Sequence, residues 1–142
     1  MKIAIGADHG GFALKTQLIE YLKNKNYELS DEGTYSVESC DYPVFAKKVA
    51  GKVASGECDL GVLVCTSGIG MSIAANKVKG ARAALVRDAS DAEMSRRHNN
   101  ANVICFGAKA TSFEKAAECL DIFLNTKFDG GRHIRRVNMF ED

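Results

Sequence analysis

Residues 60–77 read LGVLVCTSGIGMSIAANK: six mostly apolar residues ending on Cys65, a turn carrying two glycines, then helix-forming residues. A short apolar run bounded by turn signals fits a strand buried on both faces. The turn TSGIG then feeds a helix of roughly ten residues ending near Val78. The same succession recurs along the chain. Further strands are expected at Lys2–Gly6, Tyr27–Ser30, Arg82–Val86 and Val103–Gly107, alongside Leu60–Cys65. Between them, apolar residues recur at helical spacing: Leu14, Leu18, Tyr21 and Leu22; Ala46, Val49, Ala50 and Val53; Phe113, Ala116, Ala117, Leu120 and Leu124. Asp41-Tyr42-Pro43 opens the second helix, with the proline suited to a first turn. Ser90 with Glu93 and Thr111 with Glu114 have the S/T-x-x-E spacing of a capping box and mark two more starts.

Strand–helix alternation repeated five times means an α/β chain, a three-layer α/β/α arrangement with a five-stranded parallel sheet of flavodoxin or Rossmann-like type. The expected strand order begins 2-1-3, and the places of the fourth and fifth strands stay open. One domain over residues 1–142 is expected, with 127–142 as a C-terminal tail that the core pattern does not require.

Composition narrows the classes of function. Nineteen basic against eighteen acidic side chains leave a formal charge of +1, which offers no field for nucleic acid or a membrane surface. No apolar run approaches the ~20 residues that cross a bilayer, and KIAIG at the start reads as a strand and not as a secretion signal. The five cysteines, at 40, 58, 65, 105 and 119, contain no C-x-x-C pair. That count argues against a disulfide framework or a zinc ribbon and suits a reducing, cytoplasmic setting. Cys105 and Cys119 fall on core positions, and Cys40 and Cys58 in loops.

In open α/β sheets, ligands bind beyond the carboxyl ends of the strands, near the point where helices change face. The first strand ends in GADHGG and places Asp8 and His9 there; the third places Cys65, Thr66, Ser67, Gly68, Ile69 and Gly70 there. Neighbouring first and third strands would make both loops flank one crevice, with Tyr42 as a further candidate for its lining. A helix N-terminus offers unpaired N–H groups and a positive dipole end, and glycine lets a ligand approach the backbone. The turn therefore suits either a phosphate or an oxyanion formed during reaction, and the same field favours a negative sulfur on Cys65. Taken as packing alone, Cys65 is a core cysteine beside a tight turn.

Other thiol and phosphate chemistries fail on single positions. A cysteine phosphatase loop needs an arginine six residues after the nucleophile, where this chain has Met71. A dinucleotide fingerprint needs a third glycine where Ile73 stands, and no Walker pattern occurs. Two more clusters remain. RRHNN puts His98 and Asn99 at the end of the fourth helix. GGRHIRR puts Arg132, His133, Arg135 and Arg136 in the tail, where Arg132 and Arg136 share a face of any helix and suit a phosphate dianion.

Assembled in order, GADHGG, DEGTYS…DYP at 31–43, CTSGIGMSIAANK, RRHNNANVICFG and GGRHIRR make the chain resemble, over its whole length, the type B ribose-5-phosphate isomerases of the ribose/galactose-phosphate isomerase family. The resemblance implies an aldose–ketose isomerase needing no cofactor. Cys65 would be the proton-abstracting base and His98 the acid that opens the sugar ring. Asp8, His9 and Asn99 would contact the substrate, and residues 66–70 would form an anion hole assisted by the Ser67 hydroxyl. Arg132 and Arg136 would grip the phosphate. Lys109 stands where the family often has arginine; it keeps the charge and loses the two-pronged fork. Relatives acting on galactose 6-phosphate commonly lack the histidine at 98 and the arginine tail, so a pentose phosphate is favoured, with allose or galactose 6-phosphate as the alternative. A non-catalytic phosphosugar-binding domain is the other reading. No metal is implied, because Cys65, His9 and His98 show no ligand spacing.

One expectation follows from geometry. Cys65 lies at the carboxyl rim of the sheet, while His98 ends a helix that returns to the opposite edge. A strand of five or six residues spans ~17–20 Å, too far for both to touch one small sugar. Either His98 takes no part in catalysis or it reaches the crevice of a neighbouring subunit. A two-fold homodimer with sites shared between subunits is expected, as the resemblance also implies, with a dimer of dimers as the alternative assembly.

Overall fold

A computed structural model describes residues 1–141; the last position of the expected tail, 142, lies outside the described residues. In chain order the elements are β1 (Lys2–Ala7), α1 (Phe12–Asn24), β2 (Glu28–Asp31), α2 (Tyr42–Ala54), β3 (Leu60–Cys65), α3 (Ile69–Asn76), β4 (Ala83–Leu85), α4 (Ala89–Arg97), β5 (Val103–Gly107), α5 (Phe113–Asn125) and α6 (Arg132–Asn138). A 3-10 turn at Met139–Glu141 closes the chain. The strands form one parallel sheet ordered β2-β1-β3-β5-β4, the α/β fold expected.

The order of the last two strands has a physical reason. VICFG in β5 is apolar and fully buried, as an inner strand must be, whereas the small, half-buried Ala83–Leu85 suits an edge. That edge is covered locally: the Asn76 side chain accepts from the Ala83 N–H at 2.7 Å and donates to the Ala83 carbonyl at 2.9 Å.

Side-chain alternation divides the core in two. Ile3, Ile5, Val62, Val64, Ile104 and Phe106 face Leu14, Leu18 and Leu22 of α1 and Ala116, Leu120 and Phe123 of α5. Ala4, Leu63, Cys65, Val103 and Cys105 face Ala46, Val49 and Ala50 of α2 and Met71 and Ala75 of α3. Each large apolar side chain so buried contributes ~1.5–3 kcal/mol. The alternation also fixes which way the Cys65 thiol points: toward the α2–α3 layer.

Three local expectations need correction. Asp88, not Ser90, caps α4, its carboxylate accepting the Asp91 N–H at 2.8 Å; a charged acceptor two residues earlier complements the helix dipole better than a hydroxyl. Ser112, not Thr111, caps α5 through the Lys115 N–H at 3.2 Å, because the Thr111 N–H is held in a turn by the Gly107 carbonyl. Helix α3 has eight residues and ends at Asn76; the Lys77 and Val78 N–H groups then close tighter turns on Ala74 and Ala75.

The turn after β3 is held from β5. A methyl group on Gly107 would stand 2.4 Å from the Ser67 carbonyl oxygen, with no flexible side chain to yield. Gly107→Ala is therefore expected to cost about 1–3 kcal/mol in denaturant unfolding and to displace residues 66–68.

Candidate active site

Gly68 makes the corner between β3 and α3. Its φ of +77° is left-handed, and a Cβ there would strike the Leu85 side chain and the Phe106 backbone. This corner turns the Gly68 N–H back on the strand end, where it donates to the Cys65 sulfur at 3.1 Å. Cys65 is only 4% exposed, so its sulfur has one backbone donor and a narrow opening. The Ser67 hydroxyl accepts from the Ile69 N–H at 3.2 Å. The Gly70 and Met71 N–H groups, in the first turn of α3, have no hydrogen-bond partner among the described residues.

Around the sulfur lies a cavity of ≈ 400 Å³ lined by Asp8, Tyr42, Cys65, Thr66, Ser67, Ile69, Gly70 and Ile73. Tyr42 forms one wall: a Cβ on Gly70 would meet its ring at 2.5 Å, so the two residues are in close contact. Asp8 is buried, and its carboxylate accepts from the Gly10 and Gly11 N–H groups at 2.9 and 3.2 Å, which shapes the loop after β1. His9 accepts the Cys40 backbone N–H on Nδ1 at 3.2 Å, which leaves the ring proton on Nε2. Nothing in a side-chain pattern points to that contact. Lys109 belongs to this rim too, its N–H donating to the Thr66 carbonyl at 3.0 Å.

His98, Asn99, Arg132 and Arg136 form a second group elsewhere. Cys65 pairs with Gly107 at the carboxyl end of β5, whereas His98 and Asn99 precede its first residue, Val103. The four rises between Val103 and Gly107 alone cover about 13 Å. One chain therefore does not bring His98 to the thiol. Asn99 lines a separate cavity of ≈ 440 Å³ with Asn76, Arg82, Phe140 and Glu141. The tail is helical, so Arg132 and Arg136 do share α6, both exposed.

The tail is fastened at His98. The Asp129 N–H donates to the Arg97 carbonyl at 3.0 Å, and the Arg97 guanidinium meets the Asp129 carboxylate at 3.2 Å. The His98 and His133 rings stack with centroids 4.4 Å apart, and the His98 Nε2 lies 4.0 Å from an Asp129 oxygen. Burial, helped by the charges of His98, Arg132 and Arg136, holds the His133 imidazole below its usual range. The hydrogen bond from Arg97 holds the Asp129 carboxyl below its usual range.

Both shifts have the same sign for stability. The unfolded chain takes up a proton on His133 first, so docking of α6 weakens as pH falls from the unfolded value of 6.5 through the lower folded one. The Asp129 contribution is present above the unfolded carboxylate range and is lost at lower pH still. Protection factors at 132–138, with the intrinsic pH dependence of amide exchange divided out, are expected to fall from pH 7 to pH 5 in the wild type, and much less in His133→Gln.

A thiol held at the end of a parallel strand, beneath a helix N-terminus with free N–H groups, defines an α/β protein whose crevice can accept an anionic group. The chain belongs to the ribose/galactose isomerase family, whose model matches residues 3–140. It is 45% identical over 136 residues to ribose-5-phosphate isomerase B of Escherichia coli, covering 96% of this chain and 91% of the relative. It is 47% identical over 128 residues to the galactose-6-phosphate isomerase subunit LacB of Clostridium acetobutylicum, covering 90% and 74%. In structure it is similar to ribose-5-phosphate isomerase B of Clostridium thermocellum, with a TM-score of 0.98, 48% identity and coverage of 99% and 95%.

Proposed function

We propose that the chain is an aldose–ketose isomerase that interconverts ribose 5-phosphate and ribulose 5-phosphate by proton transfer through an ene-diolate. The observation that carries this reading is the Cys65 sulfur, held by the Gly68 N–H and opening into the crevice beside Asp8 and Tyr42. Kinship with ribose-5-phosphate isomerases supports the substrate.

Moving a carbonyl between C1 and C2 requires removal of the C2 proton of the open-chain aldose. Cys65, as thiolate, takes that proton while the C–H electrons form the C1–C2 double bond and charge passes to the C1 oxygen. The thiol then returns the proton to C1 while the C2 hydroxyl proton passes to the C1 oxygen and the C2 carbonyl forms, giving the ketose and restoring the thiolate. The negative oxygens of the ene-diolate need donors already in place, and residues 66–70, with the Ser67 hydroxyl, supply them. Asp8 and the Nε2–H of His9 orient the sugar hydroxyls.

Ring opening comes first: His98 of the partner subunit protonates the ring oxygen as the C1–O bond breaks, and the C1 hydroxyl gives up its proton to solvent to leave the open-chain aldehyde. Separation of His98 from Cys65 within one chain supports a two-fold dimer in which each crevice is completed by the other subunit's His98, Asn99, Arg132 and Arg136. The arginine pair grips the phosphate with Lys109 on the facing rim, and binding energy from this remote group holds the reacting carbons in position.

Hexose 6-phosphates are the second reading, supported more weakly by the 47% identity to the galactose-6-phosphate subunit over 74% of its length. Assays of ribose 5-phosphate, allose 6-phosphate and galactose 6-phosphate side by side decide it. The highest kcat/KM is expected for ribose 5-phosphate; a clear preference for either hexose phosphate would replace the pentose.

A further inference from the structure

The sequence spacing of Cys65, His9 and His98 offers no metal site, yet the fold assembles ligands that lie far apart in the chain. One ligand atom each from His98, Asp129 and His133 can be chosen so that all lie within 4.8 Å of one another. Two ligands of a tetrahedral metal bound at ~2.1 Å stand about 3.4 Å apart, so rotations of side chains suffice to close the set. His133 is the fixed member, 9% exposed on α6. His98 and Asp129 have side chains 40% and 35% exposed and are free to turn toward it. Among the described residues the His98 Nε2 stands 4.0 Å from the Asp129 oxygen, beyond hydrogen-bond distance, and its ring stacks on that of His133.

We propose that His98, Asp129 and His133 form a site for a borderline transition-metal ion, of which Zn²⁺ is the representative, and that its occupation switches the isomerase off. Two imidazoles and one carboxylate are the donor set of zinc, nickel or copper and not of calcium or magnesium, which prefer oxygen. Among the described residues, the competitor for the carboxylate is Arg97. Its ion pair with Asp129 is solvent-exposed and weak, and Arg97 keeps a second partner in Glu93 at 3.2 Å when Asp129 turns to the metal. Arg132 and Arg136 add positive charge nearby, so the ion binds reversibly and not as a structural metal. Three protein ligands leave a fourth position for water.

The consequence for activity rests on the assignment of His98 as the ring-opening acid; the binding itself does not. A His98 nitrogen ligated by metal has no proton to give and no freedom to reach across to another subunit's crevice.

Calorimetric titration of the metal-free protein with Zn²⁺ is expected to show one ion per chain. Binding should weaken at least about 10-fold in His133→Gln and in Asp129→Asn, each checked for an unchanged melting temperature, and should persist in Cys65→Ala. Isomerase activity should fall as the site fills, return with a chelator, and be resistant to zinc in His133→Gln. Co²⁺ in place of Zn²⁺ should give a spectrum without thiolate charge transfer. Absence of binding up to millimolar Zn²⁺, or binding unaffected by both variants, would overturn the site. Binding lost in Cys65→Ala would assign the metal to the crevice thiol and overturn it equally. Binding that follows His133 and Asp129 without inhibition would establish the metal site and remove His98 from the acid's role.

Discussion

Cys65→Ala is expected to lower kcat for ribose 5-phosphate by about 10³-fold while leaving KM within a few-fold, since a positioned acid–base group contributes between about 10² and 10⁴. The asymmetry follows from where the thiol sits. Its sulfur is 4% exposed and bound to the Gly68 N–H, and in the proposed mechanism it moves the proton without gripping the phosphate. In the proposed mechanism, removing it takes away the base and leaves Asp8, His9, the turn 66–70 and the arginines to hold substrate. Cys65→Ser is the companion variant: the hydroxyl fits the same space but ionises far less readily than a thiol, so kcat should stay low. A phosphosugar-binding domain without turnover would show equal binding in wild type and both variants and no catalysis in any. If Cys65→Ala retained wild-type kcat, the base would have to be sought elsewhere.

Mixing two inactive variants is expected to restore activity. His98→Asn and Cys65→Ala should each be severely impaired alone, because each damages both crevices of a two-fold dimer. In a mixed dimer one crevice carries both lesions and the other carries neither. Random exchange of subunits at equal concentration makes half the dimers mixed, and recovery should approach roughly a quarter of wild-type activity. The prediction depends on the separation along β5, with Cys65 level with Gly107 and His98 before Val103. A site complete within one chain would show no recovery above the sum of the separate variants.

Much of the fold is legible in the sequence because it rests on short-range signals. Leu60–Cys65 and Val103–Gly107 carry their own boundaries, since apolar runs stop abruptly at turn residues. The place of β4 at the edge is harder to read: two alanines and a leucine are compatible with either an inner or an outer strand until their neighbours are known. The caps of α4 and α5 fall beside the expected residues because several polar side chains compete there, and the choice depends on which N–H groups the preceding turn has already used. At the candidate site, Cys65, Ser67, Gly68 and Asp8 announce themselves by lying at strand ends. Asp129 does not. It reaches His98 across 31 positions through a tail whose own composition says only that it is basic. The Cys40 N–H that fixes the His9 proton is a backbone group and leaves no mark on side-chain patterns.

The ribose 5-phosphate reaction run in D₂O and followed by NMR tests the central proposal, proton transfer through the Cys65 thiol. While the ene-diolate is bound, the protonated thiol exchanges its hydrogen with solvent before returning it to carbon. Over many turnovers, deuterium should therefore appear at C2 of the recovered aldose and at C1 of the ketose, and Cys65→Ala should incorporate almost none in the same time. Ribulose 5-phosphate that still carried the original C2 hydrogen at C1 after repeated turnover would mean a direct hydride shift and contradict it, as would undiminished exchange in the alanine variant.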